Sequence, residues 1–144
     1  MIIREVSLDE CEDILKIEQA CFSDSWSVED FEHQVNSPYS KLIGVFVENK
    51  LVGFINTVCV VDELEINNVA VLKEYRRNHL GEEMIRYVLS VYSDVDRVLL
   101  EVRESNIPAL KLYEKLGFVK YGKRKNYYKE PIENAVLMII ETGN

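Results

Sequence analysis

The sequence predicts a mixed α/β fold: three layers, α/β/α, around a mostly antiparallel sheet with a central parallel strand pair. Three observations carry this. Two apolar runs, 42–47 and 51–61, flank the polar triplet Glu48-Asn49-Lys50, the pattern of an antiparallel hairpin. A strand, a basic loop, a helix and a second strand follow across 64–102, a βαβ unit whose strands run parallel. Helical apolar periodicity recurs both before the hairpin and after it, which supplies helices for both faces of the sheet.

Taken in order, residues 2–6 read as a short strand. Ser7-Leu8-Asp9-Glu10 has capping-box spacing, and a helix carrying Ile14, Leu15 and Ile17 runs to about Cys21. Ser27 opens a second helix by the same logic, which ends near Ser37-Pro38. After the hairpin, Asp62 breaks to a strand at 64–71. The loop 73–79 leads into a helix from Leu80 to about Ser93. Residues 97–102 form a strand that is apolar on both parities until Glu101, as expected when both faces are covered. Residues 106–116 form a helix with Pro108 in its first turn and Gly117 as its stop. Strands at 118–126 and 135–140 complete the sheet. No repeat or Pro/Gly/Ser linker interrupts the order, so 1–144 reads as one domain of a length that buries its own core.

Composition narrows the function. A net charge of −8 argues against nucleic acid, whose phosphates require clustered Lys and Arg. The acidic balance suits a basic peptide substrate and suits solubility equally. No apolar stretch reaches the ~18 residues of a membrane span, and Met1-Ile2-Ile3-Arg4-Glu5 lacks signal-peptide layout, so the cytoplasm is the expected address and no membrane is involved. Cys11, Cys21 and Cys59 form no C-x-x-C pair and read as small buried hydrophobes. With His33 and His79 far apart, no metal is expected.

Chemistry concentrates after the strand Asn67-Asn68-Val69-Ala70-Val71. The loop Arg76-Arg77-Asn78-His79-Leu80-Gly81 opens a helix there, which gathers free backbone N–H groups and the positive end of a helix dipole. A basic, solvated β-to-α connection explains the loop alone equally well.

The loop does not stand alone. It resembles motif A (Q/R-x-x-G-x-G/A) of the GNAT N-acetyltransferase superfamily, and Ala109-Leu110-Lys111-Leu112-Tyr113-Glu114-Lys115-Leu116-Gly117-Phe118 resembles the family's A-x-x-L-Y-x-x-x-G-F stretch. Lys16-Ile17-Glu18-Gln19, Trp26-Ser27 and Arg124-Lys125-Asn126-Tyr127-Tyr128 resemble its ribosomal-protein-alanine N-acetyltransferase (RimI-type) branch. The resemblance spans essentially the whole chain. It departs at His79, where the motif has its first glycine. His and Asn are the non-glycine types that best tolerate positive φ, so Asn78-His79 would keep the loop shape. Direct contact of the imidazole with a diphosphate, or weaker cofactor affinity, are the other readings.

The resemblance implies the GNAT acyl-CoA N-acyltransferase fold, with acetyl-CoA as co-substrate. It lays acetyl-CoA along Val69, Ala70 and Val71, with the diphosphate held by Arg76, Arg77, Asn78, His79, Leu80, Gly81 and Glu82. Glu101 becomes the candidate base, at the carboxyl end of an apolar strand where ligands of α/β sheets bind and desolvation tunes a carboxylate for proton transfer. Pairing with Arg103 or Arg97 is its plain structural reading, and Glu65 is the reserve base. Tyr113 becomes the candidate acid, against a core tyrosine as the plain reading. Asn106 is a helix cap that also touches the cofactor in the family. Trp26 and Tyr127, with Tyr128, would flank an acceptor peptide, and the basic run 120–129 reads as a solvated hairpin. The implied acceptor is a protein N-terminus, the alanine of a small-subunit ribosomal protein. A small amine, a lysine side chain, or non-catalytic acyl-CoA binding are the alternatives. Oligomeric state is not encoded in any of these signals.

Overall fold

A computed structural model describes residues 1–22 and 26–142. Strand β1 (Ile2–Glu5) leads through a 3-10 turn into α1 (Cys11–Cys21), where the Glu10 carboxylate accepts the Ser7 N–H at 3.0 Å. Helix α2 (Val28–Asn36) starts on a full capping box. The Ser27 Oγ accepts the Asp30 N–H at 3.2 Å, and the Asp30 carboxylate accepts the Ser27 N–H at 2.8 Å. Then come β2 (Ser40–Val47), β3 (Lys50–Val60), β4 (Glu63–Val71), α3 (Leu80–Val91), β5 (Arg97–Arg103), α4 (Ile107–Lys115), β6 (Val119–Lys129) and β7 (Ile132–Glu141). Glu48 and Asn49 take positive φ in the β2–β3 turn, and Gly117, at φ 104°, lets the chain leave α4.

The seven strands make one sheet in the order β1-β2-β3-β4-β5-β7-β6. Neighbours are antiparallel except β4 and β5, which are parallel. The expected mixed sheet with its central parallel pair is therefore present.

Each face carries its own core. On one, Ile14 and Ile17 of α1 and Phe31 of α2 pack on Leu42, Phe46, Phe54 and Ala70. On the other, Leu80, Met84, Ile85 and Val88 of α3 and Leu110 and Tyr113 of α4 cover Ile43, Ile55, Leu64, Ile66, Val98 and Leu100. Burial of these aliphatic and aromatic side chains, each contributing about 1.5–3 kcal/mol, drives the layering.

Two irregularities mark the centre of the sheet. First, the β4–β5 register runs only from Glu63–Arg97 to Ile66–Leu100, whereas β4 continues to Val71 and β5 to Arg103, so the parallel pair parts halfway. Second, β4 is bulged at Asn67, since Asn56 faces Asn68 and Thr57 faces Ile66. The extra residue flips the alternation. Leu64 and Ile66 join the α3/α4 core before it, and Ala70 joins the α1/α2 core after it.

The expectation that β5 is covered on both faces is corrected. Val98, Leu100 and Val102 are buried, but Leu99, Glu101 and Arg103 are only half-buried. Helices α1 and α2 cover β2, β3 and the end of β4, and leave that face of β5 open. The cysteines are likewise only partly as expected: Cys11 is buried, while Cys21 and Cys59 are half-buried.

Candidate active site

The parting of β4 from β5 opens a cavity of about 590 Å³. Its lining comes from α1 (Glu18, Cys21), the segment before α2 (Trp26), the bulged part of β4 (Asn67, Asn68, Val69), β5 (Glu101) and α4 (Tyr113). Tyr127 and Tyr128 of β6 close the far side, and Asn106 stands at the start of α4. A second hollow of about 570 Å³ shares Trp26, Asn68, Glu101 and Tyr127 and extends over Glu65, Tyr121 and Arg124. Glu101, Tyr113, Asn106, Val69, Trp26 and Tyr127 thus surround one space. Ala70 and Val71 continue β4 beyond its lining.

Glu101 projects from the uncovered face of β5. Arg124 Nε lies 3.4 Å from its carboxylate, which is 30% exposed. Arg97 and Arg103 have other partners, Glu63 at 3.8 Å and Glu133 at 3.7 Å, so the pairing expected for Glu101 is replaced by one from β6. The Tyr127 phenol also hydrogen-bonds to Glu101, and that bond, followed by burial, raises the phenol's pKa. Reserve residue Glu65 lies in the second hollow and not in the first.

Tyr113 is a core tyrosine whose side chain also lines the cavity. Its ring packs edge-on against Phe118 with centroids 5.8 Å apart, and its side chain reaches the cavity from the α3/α4 face. Burial pushes its phenol up to about 12, above the ordinary 10 of a tyrosine in water. The group therefore holds its proton throughout the neutral range and keeps an O–H to donate there. Asn106 caps α4 by accepting the Ala109 N–H at 3.3 Å and lines the cavity as well.

The loop before α3 lies next to this space without lining it. His79 is the α3 N-cap at φ 59° and ψ 21°, in the left-handed region that histidine tolerates, and Arg77 is also left-handed at φ 69°. The His79 side chain makes no capping bond, which leaves first-turn amides of α3 to other acceptors. A Cβ on Gly81 would meet nothing nearer than Val69 Cγ1 at 4.0 Å, so open space adjoins the backbone here. Asn78 Nδ2 donates to the Tyr75 carbonyl at 3.2 Å. Arg76 is engaged within the chain: its Nε donates to the Val71 carbonyl at 2.9 Å and its Nη2 lies 3.6 Å from Cys21 Sγ. Glu82, in the first turn, is held ionised by Lys115 and Arg86, which lower its pKa.

Glu18, Asn68 and Arg124 are among the site residues that the sequence does not single out as such. Asn68 and Arg124 lie in segments that the sequence singles out, but nothing local marks either side chain as part of a site. Glu18 does carry such a mark, because it sits among Ile14, Ile17 and Cys21 on the apolar stripe of α1, where a carboxylate is out of place. Among the described residues no three His, Cys, Asp or Glu side chains gather to hold a metal ion, and no helix is long and apolar enough to cross a membrane.

A sheet whose parallel strands part over a carboxylate and a buried phenol, beside a helix N-terminus preceded by a left-handed loop, defines a class. Residues 11–118 match the model of the acetyltransferase (GNAT) family, and the chain belongs to that family. Among its relatives is the [ribosomal protein bS18]-alanine N-acetyltransferase of Haemophilus influenzae, 33% identical over 142 residues, 95% of this chain and 96% of that one. A Bacillus subtilis protein that carries the same name provisionally is 34% identical over 139 residues, 94% of this chain and 92% of its own. The crystal structure of the Escherichia coli ribosomal-protein-S18-alanine N-acetyltransferase superposes with a TM-score of 0.91 at 28% identity, covering 99% of this chain and 94% of that one.

Proposed function

We propose that residues 1–144 form a single catalytic domain that moves the acetyl group of acetyl-CoA onto the α-amine of a protein N-terminus, with the N-terminal alanine of a small-subunit ribosomal protein as acceptor. The observation that carries this reading is the meeting of Glu101 and Tyr113 in one cavity at the parting of β4 and β5. Family membership supports the acetyl transfer, and the names of the relatives support the acceptor. Such a reaction belongs in the cytoplasm, where ribosomal proteins are synthesised.

Acetyl-CoA supplies a thioester: the amine nitrogen bonds to its acyl carbon, the carbon–sulfur bond breaks, and the departing thiolate takes a proton. Everything else falls to the chain. First-turn amides of α3 and the space beside Gly81 suit a diphosphate. Backbone groups of Val69, Ala70 and Val71, beyond the last β4–β5 pair, suit the extended arm and polarise an acyl oxygen. An α-ammonium of pKa ~8 requires only a modest base, which Glu101 provides directly or through water from the solvent-open side. Tyr113, protonated and on the opposite face of the sheet, donates to the leaving sulfur. Trp26 and Tyr127 form the acceptor's walls.

The test is CoA release measured with N-terminal peptides of differing first residue, beside polyamines and free lysine. Turnover is expected with a peptide beginning in alanine. Turnover confined to polyamines or free lysine would overturn the acceptor, and absence of turnover with every amine would overturn the activity.

A further inference from the structure

Glu18 has no part in the acetyl transfer itself, yet it is 1% exposed in the wall of the same cavity. Its carboxylate has two donors. Asn68 Nδ2 lies 3.3 Å from Oε2, and the Trp26 backbone N–H is the other. Asn68 is itself fixed, since its own N–H donates to Asn56 Oδ1 at 2.8 Å and Asn56 is fully buried. One side chain of α1 therefore joins the segment that carries the acceptor wall to the strand immediately after its bulge. Trp26 is further held by stacking on Phe31, with centroids 5.2 Å apart.

We propose that Glu18 is a positioning residue whose buried carboxylate ties Trp26 to Asn68, sets the width of the acceptor side of the cleft, and releases that tie when it takes up a proton. This rests on the acetyltransferase reading of the cleft. An ionised carboxylate only accepts hydrogen bonds and serves both N–H donors; protonation turns one oxygen into a donor and weakens one of the two bonds. Burial pushes the Glu18 carboxyl up to about 7, against the two hydrogen bonds, so the change falls in the neutral range. Both of its hydrogen-bond donors are uncharged. The other titratable lining groups are Cys21 on its own helix, whose sulfur meets Arg76, and on the far wall Glu101, Arg103 and Glu130 with Tyr113, Tyr127 and Tyr128.

Trp26 is the sole tryptophan of the chain, so its emission reports this tie without any substrate. Emission would be followed from pH 5 to 9 in the wild-type chain and in Glu18→Gln, with circular dichroism to verify the fold. The wild type is expected to shift with a midpoint near 7, and Glu18→Gln, which cannot ionise, to lose the shift. A transition that persists unchanged in Glu18→Gln, or none in the wild type, overturns the proposal. The kinetic arm separates it from the function itself. Where the wild type turns over, Glu18→Gln is expected to raise the peptide KM several-fold, leave kcat within about twofold and flatten the limb near pH 7. An unchanged KM and profile overturns the positioning role. A wild type that turns over no amine overturns the acetyltransferase reading, and the emission arm still decides whether Glu18 ties the wall.

Discussion

Tyr113 and the loop before α3 invite substitutions that separate chemistry from packing. Tyr113→Phe removes one hydroxyl and keeps the ring against Phe118, so the melting temperature should hardly move while kcat falls ~10²-fold; near-normal turnover would move the acid elsewhere. Two neighbours in the loop should respond in opposite ways. His79 sits in the left-handed region at a cost of about 1 kcal/mol for a residue with a Cβ, so His79→Gly should hold or improve acetyl-CoA binding in a calorimetric titration. Gly81→Ala, in the first turn of α3, should leave the helix intact and, if a diphosphate uses the space beside Val69, weaken acetyl-CoA several-fold. A large affinity loss in His79→Gly would make the imidazole a ligand.

At the scale of elements, α4 depends on a single side-chain cap, and Asn106→Ala should cost about 1 kcal/mol in urea unfolding. A shift in acetyl-CoA affinity beyond that would reveal the second role of Asn106. The helices were legible from sequence because their signals are local: Ser7, Ser27, Asn106 and Gly117 mark ends by the bonds and dihedrals they make. The bulge at Asn67 was not legible, because it depends on which residues of β3 lie opposite, and no periodicity within β4 records that. The same cause hid the partner of Glu101. Arg124 reaches it from β6, whose register on β7 breaks between Arg124 and Tyr128, so spacing along the chain pointed to Arg97 and Arg103 instead. Leu99 misled in a related way: its apolar character suggested a second helix layer, whereas it lies on the open face of β5 and in the wall of the second hollow. Tyr113 and Asn106 were legible as candidates through family resemblance alone; their local pattern says core and cap, which they also are.

For the molecule as a whole, two carboxylates bend the stability curve in opposite directions. Arg4 and the Ser7 N–H hold Glu10 down at about 2, so its contribution is present above the ordinary 4.5 and disappears as pH falls toward 2. Burial raises Glu18 from 4.5 to about 7, so folding favours its protonated form; that contribution is full below 4.5 and is lost as pH rises through 7. The melting temperature should therefore peak near pH 5 and decline toward pH 7.5. Glu18→Gln should flatten the decline. Arg4→Ala, which returns Glu10 toward its ordinary value, should lower the plateau and flatten the acid side. A wild-type melting temperature that stays level from pH 5 to 7.5 would refute the assignment to Glu18.

The fork between β4 and β5 has a consequence for how this chain tolerates change. Main-chain amides look alike beneath every side chain, so a guest laid along 69–71 would be read by a surface that substitution barely edits. A deep mutational scan of the half-buried positions 69 and 71 should leave donor affinity nearly level, with proline, which deletes the N–H, as the exception, whereas Ala70, packed in the α1/α2 core, should respond through stability. If the incoming amine is met by Trp26 and Tyr127, as proposed, its recognition would by contrast depend on side chains, and substitution there would change the target while the donor chemistry stood still.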